Sequence, residues 1–503
     1  MFENLLLGFS AFGNPMVWVS LVFGSLAGYL IGAIPGLGPS LGVALLIPFT
    51  YGLDPVISIV GLVALYAAAE YGGAITAILI NSPGTSAAVA TAWDGYPLTQ
   101  QGRAGEALMV SIIASGIGIF VSALFLLFTA VPLSELALRF GPGEYFALAI
   151  VGLSLVVGLA EGLVVKGAIA MGIGLALATV GLDTQTGTPR FAVSTELFEG
   201  LPLVPVLLGL YALSEVLFMV EEGAAKKVKS PPVGGFMSWN WKGLWPLNGV
   251  IMRSSVLGYV IGIIPGAGAS IASFIAYATA KRTSRQPDLF GKGSVEGVAA
   301  SEAANNAAVS GAMAPLLALG IPGSPTTAVM IGALMIQGIQ PGPLLFSRNP
   351  EIPYTIFASL WIGVPIMMLI GLAGARGWAQ VANIPRPAIA AIVSAICLVG
   401  AYSSEGTMFP VYVMTAFGIL GYLLRKIQIP LAPIILALVL GEMMETNFRR
   451  ALITSHGSLD IFYSSPLTLV LLLIAALAFV LPAIGFIRRR RRIARDEGET
   501  IAS

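Results

Sequence analysis

The stretch GYLIGAIPGLGPS, residues 28–40, returns as GYVIGIIPGAGAS at residues 258–270, identical at nine of thirteen positions. A second pair follows in the same order: YGGAITAILINSPGTSAAVAT at 71–91 and, more weakly matched, SGAMAPLLALGIPGSPTTAVM at 310–330, aligned on Pro83-Gly84 and Pro322-Gly323. Two motifs repeated in one order mark an internal duplication. The first half then covers residues 1–220 and the second 249–460. Residues 221–248 carry the charges, prolines and glycines of a cytoplasmic linker. Residues 461–503 hold one more apolar helix, 466–487, and a basic cytoplasmic tail.

Composition says what solvent surrounds these halves. Of 503 residues, 56% are hydrophobic and only 10% charged, too few charges to build a water-facing surface. Runs such as 148–159 and 467–481 are nearly free of charge and, with their apolar flanks, are long enough to cross a hydrocarbon core of roughly 30 Å. Continuous apolar runs suit helices, since barrel strands would alternate. The expected fold is an all-α polytopic membrane protein of about 10–12 transmembrane helices, with two inverted-topology repeats that contain broken or re-entrant helices.

Several function classes are excluded by inventory. Lys and Arg number 26 against 25 Asp and Glu, which gives no support for a nucleic-acid partner. The single cysteine, Cys397, excludes an internal disulfide and reads as a buried packing residue. The single histidine, His456, lies in the polar stretch ITSHGSLD and reads as a loop residue, so no His cluster can hold zinc, haem or copper. No Ser-His pair, no aspartate pair in an apolar span and no GxxxxGK[ST] loop is present, so neither proteolysis nor nucleotide hydrolysis is expected. No enzyme activity and no cofactor is expected. The start, MFENLLLG, does not read as a removable signal peptide.

The placement of charge orients the halves. No Lys or Arg precedes Arg103, whereas Lys226, Lys227 and Lys229 precede the second PG motif and Lys281, Arg282, Arg285 and Lys292 follow it. Both flanks of that motif therefore look cytoplasmic. The chain from 254 to 280 must leave and return to one face, on arms of about 11–12 residues that are too short to span. A hairpin with Pro265-Gly266-Ala267-Gly268 at its tip is the expected form; the alternative is one crossing over 245–264 with Arg253 snorkelling. The first copy lacks flanking cations, as an inverted repeat requires. The tail RRRRRIAR, 488–495, places the C-terminus in the cytoplasm and reads as a topology anchor.

Glycine and proline inside a span free backbone groups that only protein or a water-filled cavity can satisfy. Four such breaks occur: Pro35, Gly36 and Gly38 with Ser40; Asn81, Pro83 and Gly84 with Thr85 and Ser86; Pro265, Gly266 and Gly268 with Ser270; Pro322 and Gly323 with Ser324, Thr326 and Thr327. A half-helix starting after a break points its amides and about half a positive charge toward it, which favours an anion. Gly and Ser also line ordinary membrane helix crossings. The duplicated order of four breaks favours a substrate site over that reading.

Glu302, Asn305 and Asn306, in SEAANNAAVSG, are spaced for one helix face. Such groups are costly in lipid and must face the interior. Glu302 with Asn305 suits binding of a sodium ion or proton, and the amides of Asn305 and Asn306 suit a substrate carboxylate. A polar network that only ties helices together is the alternative. Glu70 falls 34 residues after Gly36, close to the 36 between Gly266 and Glu302, but is seven residues out of step when counted from the second motif. Its equivalence to Glu302 stays open. The segment AWDGYP, Trp93 to Pro97, reads as a structural turn at a membrane boundary.

With these residues in view, the sequence resembles the large permease subunit of the tripartite tricarboxylate transporters. The matching text is GAIPGLGPS, YGGAITAILINSPGTSAAVATAWDGYPL, GIIPGAGAS and SEAANNAAVSGAMAPLLALGIPGSPTTAV, in the family's order and over essentially the whole chain. Two departures stand out: Ser86 where the family is expected to carry proline, and Glu70 where it is expected to carry no acidic residue. The resemblance implies uptake of citrate or other carboxylates across a bacterial inner membrane, driven by a cation gradient, with a small membrane subunit and a periplasmic solute-binding protein. An energetic argument also asks for coupling: each negative charge moved inward works against about 2.3 kcal/mol per 100 mV. The expected function is cation-coupled symport of organic carboxylates, with sodium or protons as the coupling ion. A passive anion channel built on the same half-helix dipoles is the alternative.

Overall fold

The computed structural model describes residues 2–158, 164–183, 185–223, 245–381, 383–482 and 484. Lys226, Lys227, Lys229, most of the expected linker and the basic tail 488–495 lie outside the described residues. The first helices are α1 (Phe2–Ser10), α2 (Pro15–Ala33), α3 (Gly38–Leu46), α4 (Pro55–Ile80), α5 (Ala88–Gln100) and α6 (Ala104–Ala137). Then come α7 (Pro142–Gly158), α8 (Val164–Ala178), and α9 (Leu203–Leu207) joined to α10 (Ser214–Glu222) by a π turn. The second half continues with α11 (Asn248–Ile263), α12 (Gly268–Thr283), α13 (Val295–Leu319), α14 (Pro325–Ile336), α15 (Leu345–Arg348) and α16 (Glu351–Val381). The last are α17 (Arg386–Glu405), α18 (Phe409–Lys426), α19 (Leu431–Thr454), α20 (Ile461–Ser464) and α21 (Pro466–Pro482). Among the described residues the only strands are the two-residue pair Gly181–Leu182 and Pro189–Arg190.

The chain is thus an all-α polytopic membrane protein. Eight described helical segments are long and apolar enough to cross a bilayer, and five shorter apolar ones accompany them. Local chemistry sets their ends. Asn14 and Asp54 cap α2 and α4 by accepting the amides of Met16 and Val56, with a proline at the first helical position of each. Asn81 and Gly320 end α4 and α13 in the left-handed region.

The chain divides into two compact units. The first comprises Met1–Leu138 and Leu203–Tyr422, the second Arg139–Pro202 and Leu423–Ser503. These units reflect packing, whereas the division at 220 and 249 reflects self-similarity. In the first unit each PG motif joins two helices, α2 to α3 and α11 to α12, and each pair rests on a long buried helix, α4 or α13. Backbones approach closely through glycine. A Cβ on Gly24 or Gly32 would fall 2.2 Å from the carbonyl oxygen of Gly61 or Ala69, and one on Gly258 or Gly262 would fall 2.4 or 2.7 Å from that of Ala304 or Ala308. Residues 24 and 32 thus meet 61 and 69, and 258 and 262 meet 304 and 308, so both first arms run parallel to their supports.

The second arms come back. Ser20 at the start of α2 donates to Ile57 O, and the hydroxyl of Ser58 reaches the carbonyl of Thr50 just past α3. Both ends of that pair therefore sit at the first turn of α4. Likewise Val250, near the start of α11, packs in one cluster with Tyr277 and Ala280 at the end of α12 and with Ala300 of α13. Each pair is a hairpin with the break at its tip, and in the second the segment Trp245–Ile263 is itself long and apolar enough to cross a bilayer. The arms of the second hairpin, 16 residues each, are longer than the expected 11–12, because α11 begins at Asn248 and α12 runs on through Lys281 and Arg282.

The supports α4 and α13 run in opposite directions. Asn305, midway along α13, meets Glu70 of α4. Ser324, beyond the end of α13, meets Tyr66. Asp94 of α5, the helix after α4, meets the amides of Gly293 and Ser294 just ahead of α13. This last contact corrects the reading of AWDGYP as a turn. It lies inside α5, whose last turn accommodates Pro97. Asp94 is fully buried there, bonded to three loop amides and the Tyr277 hydroxyl. Cys397 is buried and His456 lies in the turn after α19, as the sequence suggests.

The second unit packs α7, α8, α19 and α21. Gly174 lets α8 approach Ile434 of α19, and Gly158 lets α7 approach Ala478 of α21. Arg190 and Arg449 converge on Asp183 and Glu445, pinning the short β-hairpin to α19.

Glycine contact between hairpin and support predicts a local effect on stability. Gly258→Leu should destabilise the solubilised protein by about 1–3 kcal/mol, the usual cost of overpacking. Gly249→Leu, on the same helix but facing open space, should leave the melting temperature unchanged. Equal melting temperatures for the two variants would contradict this packing.

Candidate substrate and ion site

Each hairpin tip needs its glycines. Gly36 and Gly38 have φ of +95° and +63°, and Gly266 and Gly268 have +81° and +57°, so the same two positions of each copy use a conformation that side chains resist. Pro35 and Pro265 precede these turns at partly buried positions. The helices that follow, α3 and α12, begin without a side-chain cap, so their first amides are not occupied by their own sequence.

The other two breaks are built differently. After Pro322 and Gly323, Ser324 caps α14 in a reciprocal capping box with Thr327. After Pro83 and Gly84, the Thr85 hydroxyl accepts from Ala88 N at the start of α5. Close packing holds both. The Gly84 amide donates to Gly73 O at 3.1 Å, and a Cβ on Gly84 would fall 1.8 Å from Gly32 O. Gly323 rests on Ala312 and accepts from Gly266 N at 3.1 Å. Ala312 lies ten residues before Pro322, as Gly73 lies ten before Pro83.

Hydroxyl contacts bring the four breaks together. Ser40 after the first lies 3.0 Å from Thr326 after the fourth. Ser86 after the second lies 2.6 Å from Ser270 after the third. The two contacts exchange when the copies are exchanged, to within one residue. Tyr66 of α4 reaches Ser324 at 3.1 Å. Asn81 stands apart: it is exposed and serves as the left-handed end of α4.

Beside the breaks lies a sealed polar network. Glu302 is fully buried, and its carboxylate accepts from Thr91 at 2.5 Å, Ser115 at 3.0 Å and, more weakly, Asn306 at 3.5 Å. Asn306 also donates to Ser115 at 2.8 Å. Asn305 also reaches Glu70 O at 3.5 Å. Glu302 and Asn306 thus meet α5 and α6, and Asn305, one turn from Glu302, meets α4 as well. Asn305 Oδ1, Asn306 Oδ1 and Ser310 Oγ have no hydrogen-bond partner among the described residues. Such buried, unpaired acceptors call for a donor or a cation. Among the described residues no cluster of three or more His, Cys, Asp or Glu forms a metal site.

Three participants escape a reading by motif. Tyr66 resembles an ordinary aromatic in an apolar run, and Glu215 precedes the linker far from any PG break. Yet a Cβ on Gly36 would lie 3.0 Å from Glu215 Oε1, so a carboxylate faces the first tip. The available signal was local: Glu215 follows a π turn, Leu208–Leu213, a distortion common at functional sites. Glu70, left open by counting, is buried in the same region.

The architecture is that of a multi-pass membrane protein. The profile of the "Tripartite tricarboxylate transporter TctA family" matches residues 19–436, and the chain belongs to that family, as its large permease subunit. It is 37% identical over 493 residues, 98% of each chain, to an uncharacterized 52.8 kDa protein in the TAR-I ttuC' 3' region of Agrobacterium vitis. A protein in the TAR-II ttuC' 3' region of the same organism is 37% identical over 234 residues, covering 46% of this chain and 97% of that one. No solved structure matches.

The positive φ at both tips gives a paired prediction. A β-branched residue there carries strain of about 1–3 kcal/mol or more, so Gly36→Val and Gly266→Val should each cut reconstituted transport by roughly tenfold or more at normal membrane insertion. Ser40→Ala and Ser270→Ala should mainly weaken substrate affinity. Loss of transport from Gly36→Val alone, with both proteins folded, would show that the two tips do not serve one site.

Proposed function

We propose that this subunit is a cation-coupled symporter for organic carboxylates, such as citrate or other tri- and dicarboxylates, in a bacterial inner membrane with its C-terminus in the cytoplasm. The observation that carries this reading is the meeting of all four breaks through the Ser40–Thr326 and Ser86–Ser270 contacts. A carboxylate stripped of water needs several donors at once, and helix starts supply them without a buried cationic side chain. The uncapped starts of α3 and α12 are the best placed for this, with the serine and threonine hydroxyls around them. The opposed course of α4 and α13 supports repeats of inverted topology, whose exchange of conformation would open the site to each side in turn. Substrate would arrive on a periplasmic binding protein, with a small membrane subunit as the third component.

Coupling is assigned to the network beside the breaks. A buried carboxylate is costly unless its charge is offset, and Glu302 has no Lys, Arg or His partner among the described residues. In this reading Glu302 supplies negative charge and Asn305 an acceptor oxygen to a sodium ion or proton that travels with substrate. Offsetting charge is needed, because a trianion entering alone opposes about 2.3 kcal/mol per charge for every 100 mV.

Proteoliposome uptake of radiolabelled citrate and shorter carboxylates, with the binding protein supplied outside, tests this. Uptake should exceed equilibrium and collapse when the sodium and proton gradients are both removed. Glu302→Gln should abolish accumulation while leaving folded protein in the membrane. Flux that only equilibrates, unaffected by either gradient, would mean an anion channel.

A further inference from the structure

The Glu302 carboxylate is well provided with donors, but that of Glu70 is not. Glu70 is buried, with 5% of its surface exposed, and its Oε2 has no hydrogen-bond partner among the described residues. The side chain lies one helical turn beyond Tyr66, which reaches Ser324 of the fourth break, and three residues before Gly73, which packs on Thr85 of the second. Through its packing on Gly73 the Thr85 hydroxyl is held about one helical turn from Glu70. From the facing helix, Asn305 approaches Glu70 O at 3.5 Å and leaves its own Oδ1, fully buried, also without a partner. Two unpaired acceptor oxygens, one from a carboxylate, thus occur on the two sides of the α4–α13 contact.

The charges around this spot have one sign. Glu302 of α13 is close enough to Glu70 to interact electrostatically, and Tyr66 and Tyr71 are titratable neighbours from α4. No Lys, Arg or His side chain among the described residues bonds either carboxyl. Of the other helices on α4, α2, α3 and α14 contain no charged residue, whereas α5 and α6 carry Asp94, Glu106 and Glu135 and α16 carries Glu351 and Arg376. Two carboxylates in one dry space repel, so either one takes up a proton or a cation lies between them. A hydrogen-bond donor alone would satisfy the oxygens but leave the charge. Carboxylate and amide oxygens are ligands for hard cations.

We propose that Glu70 and Asn305 ligate a sodium ion at the α4–α13 contact, with the Thr85 hydroxyl beside it and Glu302 as a second, hydrogen-bonded anion nearby. The assignment rests on the coupled-transport reading above and names the ion and the residue that holds it. Its placement explains how an ion is sensed by the substrate site: the same two turns of α4 touch the second and fourth breaks.

Equilibrium binding of radiolabelled sodium to the purified full chain tests the assignment. The wild type should bind sodium, and Glu70→Gln should weaken binding by roughly tenfold or more, the usual effect of removing a charged partner. Asn305→Ala should do the same, and Glu196→Gln, in an exposed loop, should change nothing. Sodium but not choline should protect the wild type against heat, and the protection should be lost in Asn305→Ala, which covers the case of Glu70→Gln failing to fold. Wild-type affinity in Glu70→Gln overturns the proposal, as does a wild type that binds no sodium yet accumulates substrate on a proton gradient. Either outcome leaves coupled transport standing. Uptake that follows neither gradient would instead remove the transport reading itself.

Discussion

A peptide group freed inside a bilayer has no water to bond, so a helix can break there only where the protein satisfies what the break exposes. This chain breaks four times, and three of the breaks are answered from within the protein. The Gly84 amide finds Gly73 O, the Gly266 amide finds Gly323 O, and Ser324 caps the helix that follows it. What is left over, the uncapped starts of α3 and α12 and the hydroxyls around them, is what remains for a ligand. Structure and function draw on the same shortage of hydrogen-bonding partners.

Glycine makes this arrangement possible in two ways. At the tips it supplies positive φ, and along α2 and α11 it removes the Cβ atoms that would hold each hairpin off its support. Without that approach the second break could not lie against Gly32, nor the fourth against the third. The polar network depends on the same packing. Glu302 meets donors from α5 and α6, and Asn305 meets α4, only because α13 is enclosed on all sides.

Much of this is legible in the chain, because duplication and helix breaking are written in residue types. The repeated PG motifs, the buried Glu302 and the helical class can all be read from spacing and composition. Pairings between the copies cannot. That Ser40 meets Thr326 while Ser86 meets Ser270 depends on the opposed course of α4 and α13, which no local pattern states. The AWDGYP segment misleads for a related reason: proline, glycine and aspartate suggest a turn, but a distant loop supplies the three amides that let Asp94 sit buried in a helix. Glu215 is ordinary by motif, and Glu70, conspicuous as an acid in an apolar span, becomes informative only through what it faces.

The central claim is that the two copies interlock, first break with fourth and second with third. Paired cysteines at Ser40 and Thr326, or at Ser86 and Ser270, in a Cys397→Ala background, test it when a protease site is placed between residues 223 and 245. Both pairs straddle that cut. Mild oxidation or a short bifunctional thiol reagent should keep the two fragments joined on a denaturing gel for each pair, and carboxylate substrate should slow the reaction. Fragments that separate for both pairs, in protein that inserts and transports before cysteine modification, would contradict the account.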